Sequence, residues 1–342
     1  PRDNGWQLGL NMKDIAGDVF WDTGGKGFVR ADLKRLLLPA ANQKGGSLDL
    51  NDDDSLLNSL PGLDIHVGDF AIGERHFGRL DVKAHNDGGL WLMDKVNIDN
   101  PDGNLQGKGQ WKSGSAARTQ LEFELEARDV GKLLDRLGFP GTIKRGTAHL
   151  KGDLAWPGAP TGLEYAGLSG RLDLDASRGQ FAKVDPGVGK LLGLLSLQSL
   201  PRRITLDFRD IFSEGFAFDA IDARLDIRNG VIRTREDLHI DGPAGRILMQ
   251  GEADLRQESQ SLLVSVQPEV AGVAALGAVV MAHPVAGVAT IIANKVFQNP
   301  LNKVFGFQYR VSGSWADPQV EKVGTSVGAA GAGPAPAGKE NK

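Results

Sequence analysis

The sequence predicts a mainly β protein: an elongated, twisted antiparallel sheet with one apolar face, and a few short helices toward the C-terminal end. Three observations predict it. Apolar and polar residues alternate over many short segments, tight-turn signals separate those segments, and a hairpin-sized motif recurs.

The alternation is clearest in Gln120–Arg128. Leu121, Phe123, Leu125 and Ala127 share one side, and Gln120, Glu122, Glu124, Glu126 and Arg128 the other. Successive strand side chains face opposite sides, so such a segment buries one face and wets the other. The same rhythm runs through Leu63–Val67, Leu80–Ala84, Leu172–Ala176, Ile204–Arg209, Ala223–Arg228 and Leu238–Asp241. Asn86-Asp87-Gly88-Gly89 and Asn229-Gly230 are tight-turn signals. Strands joined by short turns are most simply antiparallel. Leu105-x-Gly107-x-x-x-Trp111 recurs as Leu150-x-Gly152-x-x-x-Trp156, with Val311-x-Gly313-x-Trp315 a shortened echo. A repeated unit of this size suits a sheet that grows by addition.

Helices are few. Asp129–Leu137 has a capping Asp and ends at Gly138, and Asp185–Leu200 opens with Asp-Pro. Arg30–Leu38 fits a strand end or a short helix. From Gly324 onward the chain is low in complexity and predicted to be disordered.

The longest uncharged stretch runs from Val270 to Asn294, with His283-Pro284 near its middle. Its length reaches the roughly 20 residues that span a bilayer, but Pro284 breaks a straight helix. Two shorter helices meeting at His283-Pro284 are expected. They form either a buried hairpin closing the sheet or a hairpin that dips into a membrane surface. In the second reading Val270, Val273, Leu276, Val279, Val280, Val285, Val288, Ile291 and Ile292 make the membrane contact.

The chain has 342 residues, enough for two lobes or one elongated body. With 39 basic and 43 acidic residues it lacks the basic excess that marks a nucleic-acid binder. It has no cysteine, which suits an exported protein. It begins with Pro1 and shows no leader, as a fragment or processed chain would. None of the six histidines forms a metal-binding helix pair, and Asn51–Asp54 lacks the spaced ligands of a calcium loop. Asp173 and Asp175 alternate along a strand, as a wet face does more often than an acid–base pair. Neither a nucleophile elbow nor a phosphate loop occurs. Neither cofactor nor metal is expected, and no catalytic residues stand out.

Val184–Arg203, the following Leu206–Phe216, and the sequence from Gly242-Pro243-Ala244 through the apolar stretch resemble the C-terminal region of the AsmA-like proteins of Gram-negative bacteria, in particular the YhdP group. The resemblance is strong over residues 140–322; earlier residues show only a compatible strand pattern. The resemblance, taken with the strand pattern, divides the chain into a β-rich repeat segment with a short helix at its end over 1–139 and an AsmA-like C-terminal region over 140–322. That region would carry a helical insert at 185–200 and an apolar hairpin at 268–299, with a disordered tail at 323–342. It further implies a periplasmic, non-enzymatic phospholipid conduit, part of a longer protein anchored in the inner membrane. The sheet would fold into an apolar trough, with the outer membrane surface and other envelope proteins as partners. The candidate lining is Leu121, Phe123, Leu125, Leu172, Leu174, Ile204, Leu206, Phe208, Leu225, Ile227, Leu238 and Ile240. Residues alone leave two alternatives to a trough: a sandwich whose second sheet covers the same face, or an envelope module that carries no lipid. A β-rich carbohydrate-active enzyme is disfavoured by scarce aromatics, 6% of the chain.

Overall fold

The computed structural model describes residues 5–39, 60–114, 116–160, 162–182, 216–268 and 305–327. Among these, seventeen strands belong to one sheet. In chain order they are β1 (Gly5–Asn11), β2 (Ile15–Asp22), β3 (Phe28–Leu38), β4 (Gly62–Ile72), β5 (Arg75–Asp87), β6 (Leu90–Asn100), β7 (Gly103–Lys112) and β8 (Arg118–Ala127). After helix α1 (Val130–Arg136) come β9 (Ile143–Pro157), β10 (Ser169–Phe181), β11 (Phe216–Arg228), β12 (Val231–Thr234) and β13 (Leu238–Gly242). The series ends with β14 (Gly245–Asp254), β15 (Ser259–Pro268), β16 (Phe305–Ser314) and β17 (Pro318–Val327).

Each strand pairs with the next along the chain, except that β12 and β13 share one position between β11 and β14. At the usual interstrand spacing the ladder extends roughly 70 Å. The predicted mainly β, antiparallel-dominated sheet is therefore what forms. One pairing departs from it: β3 and β4 run parallel. The cause is the long connection between Leu38 and Gly62, which lets the chain re-enter the sheet from its other side. Arg30–Leu38, open between strand and helix, is strand.

The turns follow local chemistry. Gly88 and Gly89 both take positive φ (56° and 89°) between β5 and β6, and Asn229 and Gly230 do the same (47° and 77°) between β11 and β12. These are the mirror-image turns that match strand twist. Helix α1 forms where Asp129 accepts a hydrogen bond from the Lys132 backbone N–H at 3.1 Å. Leu133 is buried on its inner side, and Arg136 holds Asp102 at 2.7 Å. The ladder between β8 and β9 runs on either side of residue 139. Strand β17 continues past Gly324, pairing Thr325 with Phe307. The expected helical segment at 185–200, Ile204–Arg209, and the expected apolar hairpin beyond Pro268, the last residue of β15, lie outside the described residues.

The repeated motif has a packing reason. Its two copies are β7 and β9, which flank β8, so Leu105 and Leu150 both pair with Leu125, and Gly107 and Gly152 both pair with Phe123. A Cβ on Gly152 would lie 2.2 Å from the Phe123 ring, so the glycine is the space the ring occupies.

Candidate functional site

Register places the apolar residues of successive strands in rows along the ladder. One row reads Leu33, Val67, Leu80, Ile98, Leu105, Leu125, Leu150 and Leu174, from β3 to β10 without a polar residue. The neighbouring row reads Ala31, Ile65, Val82, Val96, Gly107, Phe123, Gly152, Leu172 and Leu225. Leu121 pairs with Leu154 in a third row.

The depth of this face changes along the molecule. Leu121, Phe123, Leu125, Leu172, Leu174 and Leu225 are half-buried. By contrast Ile227, Leu238 and Ile240 are buried, at 2%, 9% and 2% exposure. Leu238 and Ile240 belong to a filled cluster with Phe216, Phe218, Ile247, Met249, Leu262 and Val264, against which Leu174 and Leu225 pack, while Ile227 packs with Trp156 and Leu168, and Leu121 and Leu172 lie against that second cluster. Each apolar cluster draws its strand residues from neighbouring strands of the ladder. A sandwich core would instead draw its residues from two separate sheets, and all seventeen strands belong to one. Among the described residues, then, the middle of the face carries no second sheet, whereas its C-terminal part, and its N-terminal part around Val67, are filled by their own side chains.

Of the candidate lining, Ile204, Leu206 and Phe208 lie outside the described residues. So do all nine candidate membrane-contact residues, Val270 through Ile292. The bounding strands are described: β15 ends and β16 begins at one rim of the sheet, the rim that also carries α1 and the β6–β7 turn. No helix among the described residues is long and apolar enough to cross a membrane.

The opposite face is polar and laced with cross-strand ion pairs. His66 Nδ1 lies 2.8 Å from Asp81, Arg224 reaches Asp175 at 3.0 Å and Arg233 reaches Glu252 at 2.8 Å. His149 pairs with Glu124, and Arg235 with Asp173. The hydrogen bond with His66 holds the Asp81 carboxyl below its ordinary range, and that with His149 does the same for Glu124. Asp173 and Asp175 are thus each paired with an arginine on the wet face. Exposed pairs of this kind contribute little stability individually, but they fix which face meets water.

Sequence reasoning did not nominate the members of these rows in β3 to β7: Leu33, Val67 and Leu80, which are buried in a cluster of their own, and Ile98 and Leu105, which are half-buried. The alternation was visible in Leu63–Val67 and Leu80–Ala84. In β6, however, a register shift between Met93 and Val96 changes which residues face inward, and glycines thin the pattern in β7.

At the rim opposite α1 runs a further row, Trp91, Trp111, Thr119 and Trp156. Trp111 is among the most deeply buried side chains, and it packs with Trp91, Ala159 and Leu60.

Comparison with known proteins adds identity to this geometry. The chain is 30% identical over 249 residues, 72% of its length, to the intermembrane phospholipid transporter YhdP of Escherichia coli (strain K12), and spans about 20% of that relative. No solved structure matches it. The family model described as "YhdP protein" matches residues 1–320. An uninterrupted one-sided sheet and a match across nearly all of its described strands agree: the chain belongs to the YhdP family.

Proposed function

We propose that this chain is a segment of a non-enzymatic phospholipid conduit between inner and outer membranes, holding acyl chains against the apolar face of its sheet. The observation that carries the reading is the Leu33–Leu174 row: eight strands wide, aliphatic throughout, and half-buried from Ile98 onward with no second sheet over it. Large open apolar surfaces on a folded protein mark sites that something apolar covers. An exposed methylene costs about 0.8 kcal/mol in water, so a chain of about sixteen carbons costs roughly 12 kcal/mol. A face of branched aliphatic side chains offsets that cost through non-directional contact, which leaves the lipid free to slide. The relative's name, a phospholipid transporter, supports phospholipid as the cargo.

In this reading the segment works in the periplasm as part of a longer, inner-membrane-anchored protein, and the outer membrane surface and other envelope proteins are its partners. The half-buried residues Leu121, Phe123, Leu125, Leu172, Leu174 and Leu225 form the conduit, together with Ile204, Leu206 and Phe208. The filled cluster around Ile240 anchors its C-terminal part. Val270–Asn294 is the membrane-facing element, and the division at 139/140 separates the repeat segment from the C-terminal region.

Organic extraction of the purified chain followed by mass spectrometry tests this. Phospholipid at a fixed ratio to protein is expected. A chain that carries none, and takes none up from vesicles, contradicts the proposal and favours an envelope module without cargo.

A further inference from the structure

The two rims of the sheet treat their polar groups differently. At the α1 rim the Asn100 and Thr142 side chains are satisfied. The Asn100 side chain donates to the Phe77 carbonyl at 2.9 Å and accepts from the backbone N–H groups of Asp102 and Gly103, and the Thr142 hydroxyl donates to the Phe139 carbonyl at 3.0 Å. At the tryptophan rim the Trp156 indole donates to the Ala159 carbonyl at 3.1 Å and the Thr119 hydroxyl to the Gly158 carbonyl at 2.7 Å. Yet the indole nitrogens of Trp91 and Trp111, both buried, have no hydrogen-bond partner among the described residues, and neither amide atom of Gln260 has one. Trp111 is 1% exposed and Gln260 5%.

These groups lie toward one rim of one face, on β6, β7 and β15. Trp91 and Trp111 are ladder partners in the outermost row of the apolar face. Gln260 belongs to the next row inward, which runs from Leu121 through Leu154, Gly170, Ile227, Ile232 and Ala253. Interior polar groups are nearly always partnered, and leaving one unmet is costly because its desolvation is not repaid. Three such side chains beside one rim of one face amount to a line of donors awaiting acceptors. An indole N–H can only donate, so what satisfies it is an acceptor oxygen attached to something apolar enough to enter.

We propose that the tryptophan rim is the headgroup edge of the conduit: ester or phosphate oxygens of a bound phospholipid accept from Trp91 and Trp111, and further along from the Gln260 amide. The acyl chains then lie across the strands. From Trp111 to Leu105 the strand spans about 20 Å, room for an extended acyl chain. The polar end travels along one rim, and the α1 rim receives the hydrocarbon ends. This rests on the lipid-binding reading above and adds an orientation to it.

The test compares the unmodified chain with the double variant Trp91→Phe/Trp111→Phe and with Gln260→Met. Three probes are used: a diacyl phosphatidylglycerol, its dialkyl-ether counterpart and hexadecane. One neutral hydrogen bond contributes about fivefold in affinity. The double variant is therefore expected to bind diacyl lipid at least tenfold more weakly, to bind hexadecane as before, and to melt no lower than the unmodified chain. Ether lipid bound as tightly as diacyl lipid assigns the acceptor to phosphate; weaker ether binding assigns it to the ester carbonyl. Unchanged diacyl binding in the variants, or equal loss of hexadecane, overturns the proposal. Absence of lipid binding by the unmodified chain would instead overturn the conduit reading beneath it. A measurement without mutation runs alongside: a headgroup nitroxide should quench tryptophan emission more strongly than one at the acyl terminus, and the reverse order overturns the assignment.

Discussion

Replacing Leu125 and Leu150 together with glutamate is expected to reduce co-purifying phospholipid at least tenfold while leaving the far-ultraviolet circular dichroism unchanged. The two leucines are cross-strand partners in the longest aliphatic row, both half-buried and neither part of a buried cluster. A glutamate at either position stays hydrated in the empty protein, so the strands keep their pairing. Lipid binding removes that water. Covering a carboxylate with hydrocarbon costs several kcal/mol, well beyond the roughly 1.4 kcal/mol that corresponds to tenfold in affinity. The control is glutamate for Glu-neighbouring polar positions such as Gln120, which faces the other way and should leave lipid content unchanged.

The second large effect concerns stability. Phe218→Ala should lower the stability of the C-terminal part of the sheet by about 3–5 kcal/mol, read as a drop in the urea midpoint at constant slope. Phe218 is 2% exposed, its ring centre lies 5.1 Å from that of Phe181, and it occupies the space over Gly179, where a Cβ would come within 2.3 Å of the ring. Its neighbours Ile240, Ile247, Met249 and Val264 are equally enclosed, so little can move in to fill the cavity. The loss should appear with lipid stripped away. A midpoint shift seen only in the lipid-loaded protein would mean that this part of the face is lining and not core.

These two outcomes separate regions that look alike in sequence. Leu172-Asp173-Leu174 and Leu238-His239-Ile240 alternate identically, and alternation reports which face a residue takes. It does not report depth. Depth follows from what lies beside the strand, a non-local matter, which is why Ile227 and Ile240 were grouped with Leu174 although they are core. Strand direction was hidden for a similar reason. Nothing in Phe28–Leu38 or Gly62–Ile72 distinguishes parallel from antiparallel neighbours, and only the length of the connection permitted the parallel pair. Other features were legible because they are local. Asp129 caps α1 within one turn, and Asn229-Gly230 sets its own dihedral angles. The repeat around Gly107 and Gly152 was readable as a pattern, but its cause, the Phe123 ring between two glycine-bearing strands, required the register. The unpartnered indoles of Trp91 and Trp111 left no trace in sequence, since a tryptophan reads the same whether or not its N–H finds an acceptor.

Photo-crosslinking at adjacent residues of one strand tests the central claim most directly. Phe123 lies on the aliphatic face, and Glu124 lies on the ion-paired face beside His149 and Lys151. With a benzophenone amino acid installed at either position in cells, phospholipid adducts are expected at 123 and not at 124. Adducts at both positions alike, or at 124 alone, would contradict a hydrocarbon path confined to one side of the sheet.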